Sequence, residues 1–276
     1  MGKIVLITGA NSGVGRSLAV QSALKGSTVV MVCRNKEKGE KAKEEIIRVS
    51  ENKSVHLIIA DMSSVNSVKN ATEEFKSKFN NLHILVNNAG INLSHRELSA
   101  DGYEKVFATN HLAYFYLTSL LLDILKSSAP SRIINIASNA HSEIDINDVM
   151  SERNYNYFEV YKHSKMANIL FTYELSERLK GSHVTVNAVH PGVVNTSIYN
   201  TVHGLSGFLI ALMKPFFMSP GKSAEYIIPL MYDDKFNNVT GKYFVKTKET
   251  LTKKGSYDID VRKKLWYISE NLIRKV

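Results

Sequence analysis

The chain has 276 residues, 44% of them hydrophobic, and a formal net charge of +9 at pH 7. This length is enough for one large buried core, and no linker-like segment divides it, so we expect one domain over residues 1–276. The lysines and arginines are spread along the chain, which favours solvated helix faces over a nucleic-acid site. The single cysteine, Cys33, excludes an intrachain disulfide and a multi-cysteine metal site, and it is typical of a reducing compartment such as the cytoplasm.

Short apolar runs alternate along the chain with longer, charged stretches of helical period. Strand-like runs lie at 3–9, 27–33, 54–61, 82–90, 132–138, 184–192 and 241–245. Helix-like stretches lie between them at 13–26, 35–49, 64–79, 103–125 and 161–181. Strands that are apolar on both faces and separated by helices are typical of a covered parallel sheet. The pattern predicts an α/β, doubly wound Rossmann-type domain with a mainly parallel sheet of about seven strands and helices on both faces.

The first strand is followed directly by the glycine-rich segment TGANSGVG. Its first glycine allows a sharp turn, its second allows a pyrophosphate to approach the backbone, and the following helix start offers free N–H groups. A strand-to-helix turn without a ligand would have the same composition, and the glycine spacing is wider than in the usual dinucleotide fingerprint. We expect cofactor contacts from Gly9, Asn11, Ser12, Gly13, Val14 and Gly15.

The ends of the next two strands bear on the choice of cofactor. The second strand ends at Cys33 and Arg34, with Lys38 one turn later, where an NAD-selective protein usually has a carboxylate. A guanidinium can pair with a 2′-phosphate, so we expect NADP rather than NAD, although Arg34 could also be a solvated residue at a helix start. Asp61, followed by Met62, ends the third strand and can accept from an adenine amino group, cap the next helix, or do both.

A serine, a tyrosine and a lysine in the second half suggest hydride-transfer chemistry. Ser138 ends a central strand, and Tyr161 and Lys165 are four residues apart on a predicted helix, so they share one face. A phenol is a poor base at neutral pH, but an ammonium one turn away favours the phenolate. Tyr161 could then exchange a proton with an alcohol or carbonyl whose oxygen Ser138 holds.

Taken together, these motifs resemble the short-chain dehydrogenase/reductase family along the whole chain. The motifs that carry the resemblance are TGANSGVG (8–15), Asp61, NNAG (87–90), Asn110, Ser138, YKHSK (161–165), HPG (190–192) and Thr196. The retinol-dehydrogenase-like branch is the most similar. Its features here are VCRN, ELSADGYEKVFATNHLAYFYLT, the long interval from Ser138 to Tyr161, YKHSKMANILF and MKPFFMSPGKSAEYIIPL.

The resemblance assigns roles to further residues. Asn110, which could otherwise make an ordinary helix–helix hydrogen bond, would hold a water that continues a proton relay past Lys165. Lys165 would also bind the nicotinamide ribose. Asn87 would tie the sheet together. The remaining cofactor contacts implied by the resemblance are Asn88, Ala89, Gly90, Pro191, Gly192, Val194 and Thr196.

The region 197–219 is apolar, and the resemblance implies that it forms a lid over the substrate. An apolar lid predicts an apolar aldehyde, ketone or alcohol of retinoid, steroid or long-chain type, although core packing or a subunit interface would look similar. The resemblance also implies a homodimer or homotetramer paired through the helices of Asn110 and Tyr161. We expect no leader or N-terminal anchor, which weakens the argument for retinoids, and at most a peripheral membrane contact.

The leading prediction is therefore an NADP(H)-dependent oxidoreductase in which Tyr161, Lys165, Ser138 and Asn110 are catalytic. The alternative is a non-catalytic NADP-binding sensor or scaffold protein. The histidines have no metal-ligand spacing, so we expect no metal site, and we interpret them as structural or solvent-facing residues: His111, His141, His163 and His190.

Overall fold

The computed structural model describes residues 2–194 and 217–275. Its strands form one sheet of eight strands in the order β3-β2-β1-β4-β5-β6-β7-β8, parallel throughout except for the antiparallel pair β7–β8. The strands are β1 (Ile4–Thr8), β2 (Thr28–Cys33), β3 (Val55–Ile59), β4 (Ile84–Asn87), β5 (Ser131–Ile136), β6 (Val184–His190), β7 (Lys242–Val245) and β8 (Lys248–Glu249). The seven predicted strands are thus confirmed, and the eighth is a two-residue extension of the edge.

Helices cover both faces of this sheet, as the uninterrupted apolar strands predict. They are α1 (Gly13–Leu24), α2 (Lys36–Ser50), α3 (Val65–Lys78), α4 (Lys105–Phe107), α5 (Ala113–Ser127), α6 (Tyr157–Arg178), α7 (Pro220–Tyr232) and α8 (Ile259–Arg274). A π-helical turn, Ala108–Leu112, joins α4 to α5. One apolar core lies between the sheet and α1, α2 and α7, and a second lies between the sheet and α3, α5 and α6.

The strand order shows at which edge of the sheet a ligand can bind. The chain winds outward from β1 to β3 and then returns to add β4 on the other side of β1. The connections after β1 and β4 therefore leave in opposite directions and open a crevice at the carboxyl ends of the strands.

The C-terminal helix α8 packs on α5 and α6 of its own chain. The Trp266 ring lies 4.8 Å from the Phe115 ring and 5.9 Å from the Phe171 ring, and Arg178 sits 4.0 Å above it. The C-terminal helix therefore covers part of the face of α5 and α6 that is expected to pair with a second subunit. The homodimer or homotetramer remains a prediction.

The described residues limit what can be said about the lid and the membrane. Residues 195–216 lie outside the described part, and with them most of the predicted lid and Thr196. Among the described helices, none combines the length and the apolar character needed to cross a bilayer.

Candidate active site

A cleft of about 300 Å³ opens at the carboxyl edge of the sheet. Loops that follow β1 through β6, together with the start of α6, form its walls. The predicted site residues that line it are Gly9, Asn11, Ser12, Gly13, Val14, Arg34, Asp61, Met62, Asn88, Ala89, Gly90, Ser138, Tyr161, Lys165, Pro191, Gly192 and Val194. One continuous cleft therefore joins the loops predicted to bind the dinucleotide to the serine, tyrosine and lysine.

The glycine-rich loop leads straight into the first turn of α1. Gly9 and Gly13 have φ angles of +67° and +54°, which L side chains rarely adopt. Gly15 does not line the cleft but lies behind it, where an added Cβ would come within 2.5 Å of both the Gly9 carbonyl oxygen and Asn88 Nδ2. Gly15 thus allows α1 to pack closely against the loop. The N–H groups at the N-terminus of α1 face the cleft.

The NNAG segment is fastened to the end of β1. Asn88 Nδ2 donates to the Thr8 carbonyl at 2.7 Å, and the N–H groups of Asn88 and Ala89 both donate to Thr8 Oγ1 at 2.9 Å. The fully buried Asn87 donates to Asn135 Oδ1 of β5 and to Thr118 Oγ1 of α5. These bonds hold Ala89 and Gly90 as a fixed wall of the cleft.

Asp61 lies in the cleft wall but does not cap the following helix. Its Oδ1 accepts from the Ser63 N–H at 2.9 Å and from Ser63 Oγ at 2.7 Å. The N-cap of α3 is Ser64, which accepts from the Ser67 N–H. The capping alternative for Asp61 is therefore wrong, because the turn at Ser63 intervenes between Asp61 and the helix. Within the described residues, Asp61 Oδ2 makes no hydrogen bond.

Arg34 also borders a second cavity of about 650 Å³ beside the glycine-rich loop. The other cationic side chains around it are Arg16, Lys38 and Lys41. Arg16 is paired with Glu45 at 2.9 Å, whereas Arg34 makes no ion pair among the described residues. Asn35 caps α2 by accepting from the Lys38 N–H at 2.8 Å, which fixes where Arg34 leaves the strand.

Tyr161 and Lys165 lie one turn apart on α6 and both face the cleft. Lys165 Nζ is 5.6 Å from the centre of the Tyr161 ring and donates to the Ile136 carbonyl at 3.1 Å. The lysine is only 2% exposed, and this burial lowers its pKa from 10.5 to about 8. At pH 7 the ammonium form still predominates, so a positive charge stands beside the phenol.

Ser138 follows β5 by two residues and is 8% exposed. Its Oγ accepts from the Ala140 N–H at 3.0 Å. Because this bond uses a lone pair of the hydroxyl, the O–H itself can still donate toward the cleft.

Asn110 lies within the π-helical turn, behind Gly90, and is fully buried. Its Oδ1 accepts from the Ile91 N–H at 2.8 Å, and its Nδ2 donates to the Ile91 carbonyl and to Ser164 Oγ, each at 3.0 Å. The side chain is therefore used to hold Ile91, so a relay water that also bound the Asn110 amide would have to compete with these bonds.

Several cleft residues were not predicted from the sequence: Val32, Ala60, Ile91, Thr109, Ile136, Ala137 and His190. Most of them end a strand or adjoin one, so their position at the carboxyl edge was the available signal. Burial lowers the pKa of His190 to about 4 and that of the fully buried His111 to about 3, so both are neutral at pH 7. His111 Nε2 lies 3.0 Å from Ser269 Oγ, a structural contact between the π turn and α8.

Comparison with known proteins agrees with this geometry. Residues 3–203 match the model of the short chain dehydrogenase family. Bovine (Bos taurus) retinol dehydrogenase 12 is 38% identical over 99% of this chain and 86% of its own length, and human (Homo sapiens) retinol dehydrogenase 13 is 39% identical over 99% and 85%. A crystal structure of an uncharacterized protein from Mycobacterium paratuberculosis superposes with a TM-score of 0.79 at 28% identity, covering 99% of this chain and 93% of that one. The chain therefore belongs to the short-chain dehydrogenase family, in its retinol-dehydrogenase-like branch, and is an oxidoreductase of CH–OH groups that uses a nicotinamide cofactor.

Proposed function

We propose that the protein is an NADP(H)-dependent oxidoreductase that interconverts an apolar aldehyde or ketone and its alcohol, with Tyr161 as the acid/base. The observation that carries the proposal is the single cleft, which has Tyr161 and a buried, charged Lys165 at one end and Arg34 at the other. Of the four predicted catalytic residues, Tyr161, Lys165 and Ser138 keep the roles expected from the sequence, whereas the Asn110 side chain holds Ile91 and is not the direct ligand of a relay water.

The proposed chemistry follows from the groups at the Tyr161 end. When bound, the nicotinamide supplies or accepts the hydride. The Lys165 ammonium favours the phenolate of Tyr161, so the phenol can give a proton to a developing alkoxide or take one from an alcohol. Ser138 Oγ donates to the substrate oxygen and fixes its position. Lys165 would also hold the nicotinamide ribose, while Asn110 keeps Gly90 and Ile91 in place beside it.

Replacing Tyr161 with Phe tests the acid/base assignment. The variant lacks the transferable proton, and general acid–base catalysis typically contributes 10²–10⁴-fold, so we expect kcat to fall by roughly that factor. NADPH affinity, measured by fluorescence quenching, should stay within about twofold because the aromatic ring remains and only the hydroxyl is lost. Tyr267→Phe, on the exposed face of α8, is the matched control. A Tyr161→Phe enzyme with unchanged turnover would refute the assignment.

The second cavity supports NADP as the cofactor. Arg34 and Lys38 present positive charge beside the glycine-rich loop, at the end of β2 where the adenine ribose binds in this type of fold. For Arg34→Asp we expect NADPH affinity to fall by about 10- to 150-fold, which corresponds to a lost charge-assisted pair of 1.5–3 kcal/mol. NADH affinity should not fall and serves as the internal control. A wild-type preference for NADH would contradict the role of Arg34.

For the substrate, we propose a retinoid-type carbonyl or alcohol first, because the relatives reported above are retinol dehydrogenases. Steroid ketones and long-chain aldehydes have the same apolar character. NADPH oxidation should be followed with all-trans-retinal, steroid ketones and aliphatic aldehydes, with NADH in parallel. Preference for small polar carbonyls would contradict the apolar assignment.

We also propose peripheral contact with an anionic membrane through the outer face of the C-terminal region. Residues 242–275 contain ten Lys and Arg against four Asp and Glu, and four large hydrophobic side chains in or near α8 are exposed: Leu251, Tyr257, Ile259 and Tyr267. Exposed cationic and apolar groups together favour anionic lipid surfaces. Sedimentation with phosphatidylserine vesicles should be lost in Lys263→Gln/Lys264→Gln but retained in Lys69→Gln on α3. Equal binding to neutral phosphatidylcholine would refute the electrostatic contribution.

The alternative, a non-catalytic NADP-binding sensor or scaffold, makes a distinct prediction. It would quench NADPH fluorescence stoichiometrically and turn over no substrate in the panel above. The Tyr161 phenol beside the buried Lys165 ammonium favours the enzyme, because cofactor binding alone does not require an acid/base group next to the lysine.

A further inference from the structure

His141 connects the loop that carries Ser138 to a distant part of the chain. Its Nδ1 lies 2.8 Å from the Ser138 carbonyl oxygen, and its Nε2 lies 3.3 Å from the Lys253 backbone nitrogen. The ring also packs edge-on against Tyr243 of β7 at 5.6 Å. A single imidazole thus joins the end of β5 to the segment that follows β8.

These two partners determine the protonation state of the ring. A carbonyl oxygen can only accept, so Nδ1 must carry a hydrogen. A backbone N–H can only donate, so Nε2 must be without one. The two contacts are compatible only with the neutral Nδ1–H tautomer. Burial holds the pKa of His141 below its usual 6.5, with a smaller opposing effect of the bond to Ser138 and of Glu143, so the neutral form predominates at pH 7.

The loop around Ser138 is also held at its two sides: the Ala137 N–H donates to the Val189 carbonyl, Ser142 Oγ donates to Glu159 Oε2, and the Gly255 N–H donates to Glu143 Oε1. Asn139 and Ala140 are exposed, and the Ser138 hydroxyl is held by the Ala140 N–H within the same turn. Tyr243 donates to Asn139 Oδ1 at 2.7 Å from β7. The His141 ring, in contrast, binds the backbone of the serine itself, at the Ser138 carbonyl oxygen.

We propose that His141 is a positioning residue for Ser138: its Nδ1–H fixes the Ser138 carbonyl so that the serine hydroxyl points at the substrate oxygen, while the Lys253 N–H that donates to Nε2 keeps the ring in the Nδ1–H tautomer. The inference rests on the proposed function only in giving Ser138 a contact with substrate. It adds a residue that takes no part in proton or hydride transfer but sets the geometry of one that does.

Two conservative variants separate the two ends of the imidazole. In His141→Asn the amide nitrogen can replace Nδ1 and donate to Ser138, whereas the contact with Lys253 is lost. In His141→Gln the amide oxygen can replace Nε2 and accept from Lys253, whereas the bond to Ser138 is lost. We expect His141→Asn to keep kcat within about threefold of wild type. His141→Gln and His141→Ala should lose about tenfold, because the part-buried Ser138 carbonyl is left without its hydrogen bond.

The split between kcat and binding distinguishes positioning from a general loss of structure. The KM for NADPH should be unchanged in all three variants, because the hydrogen bonds of the His141 ring among the described residues go to Ser138 and Lys253 and not to a residue of the glycine-rich loop. His56→Asn, near the amino end of β3, is the matched histidine control. Equal kcat values for His141→Asn and His141→Gln, or a wild-type kcat for His141→Ala, would overturn the proposal.

The tautomer can be tested in the intact enzyme without any assay of turnover, which keeps this inference separate from the proposed function. Nitrogen NMR of ¹⁵N-histidine-labelled protein, assigned by the signal missing from His141→Asn, should show the Nδ1–H form at pH 7. An Nε2–H tautomer or a charged ring would refute the proposal whatever the kcat values of the variants. If the Nδ1–H tautomer is observed but the protein reduces no carbonyl, only the proposed function is refuted.

Discussion

Replacing Asn110 with Ala should lower the free energy of unfolding and also release Ile91, which lines the cleft. The amide holds both backbone groups of Ile91 and donates to Ser164 Oγ, and it is fully buried. Each buried polar group left without a partner costs about 1–3 kcal/mol, so losing the two bonds to Ile91 and the packed side chain should lower the free energy of unfolding by about 3 kcal/mol. Ser164→Ala removes one acceptor of Asn110 and should cost about 1 kcal/mol.

Urea unfolding followed by tryptophan fluorescence measures this difference. The midpoint should fall in Asn110→Ala with an unchanged slope, and by a third as much in Ser164→Ala. Asn110→Asp should gain stability as the pH falls, because burial favours the protonated carboxyl, which can donate to the Ile91 carbonyl as the amide does. An Asn110→Ala protein within about 1 kcal/mol of wild type would refute the structural role. If its kcat still fell, the residue would act on the chemistry directly.

Two further predictions follow from the site. Lowering the pKa of Lys165 from 10.5 to about 8 corresponds to roughly 3 kcal/mol of desolvation. Lys165→Met should therefore abolish turnover and yet unfold at a higher urea concentration than wild type at pH 7. In wild type the desolvation cost of the buried ammonium should fade between pH 8 and 10.5, where the lysine of the unfolded chain still binds a proton that the folded protein has lost. A less stable variant would contradict this sign. Gly15→Ala should abolish NADPH quenching because its Cβ would collide with Gly9 and Asn88. Gly26→Ala is the control, because Gly26 lies in the same first βαβ unit at φ +73° but has open space around it. This variant should lose only about 1 kcal/mol of stability to backbone strain and should bind NADPH normally. Equal loss of NADPH binding in both variants would argue against close packing as the reason for a glycine at position 15.

The sequence by itself determined the architecture and the residues on which the proposed chemistry rests. Strands apolar on both faces, alternating with helices of 3.6-residue period, require a parallel sheet covered on both sides, so the order of elements followed from local pattern. The spacing of Tyr161 and Lys165 placed both on one helix face before any coordinates were needed. Arg34 at the end of β2 was similarly readable, because the end of a strand defines an edge of the sheet.

Tertiary structure decided what depends on contacts between distant segments. Asp61 turned out to bind Ser63 rather than cap α3, and the side chain of Asn110 proved to be occupied by Ile91. The hydrogen bond between His141 and Lys253 joins residues 112 positions apart, and α8 packs on α5 and α6. Sequence period reveals which face of an element is buried, but hydrogen-bond partners across the fold depend on how the buried faces are brought together.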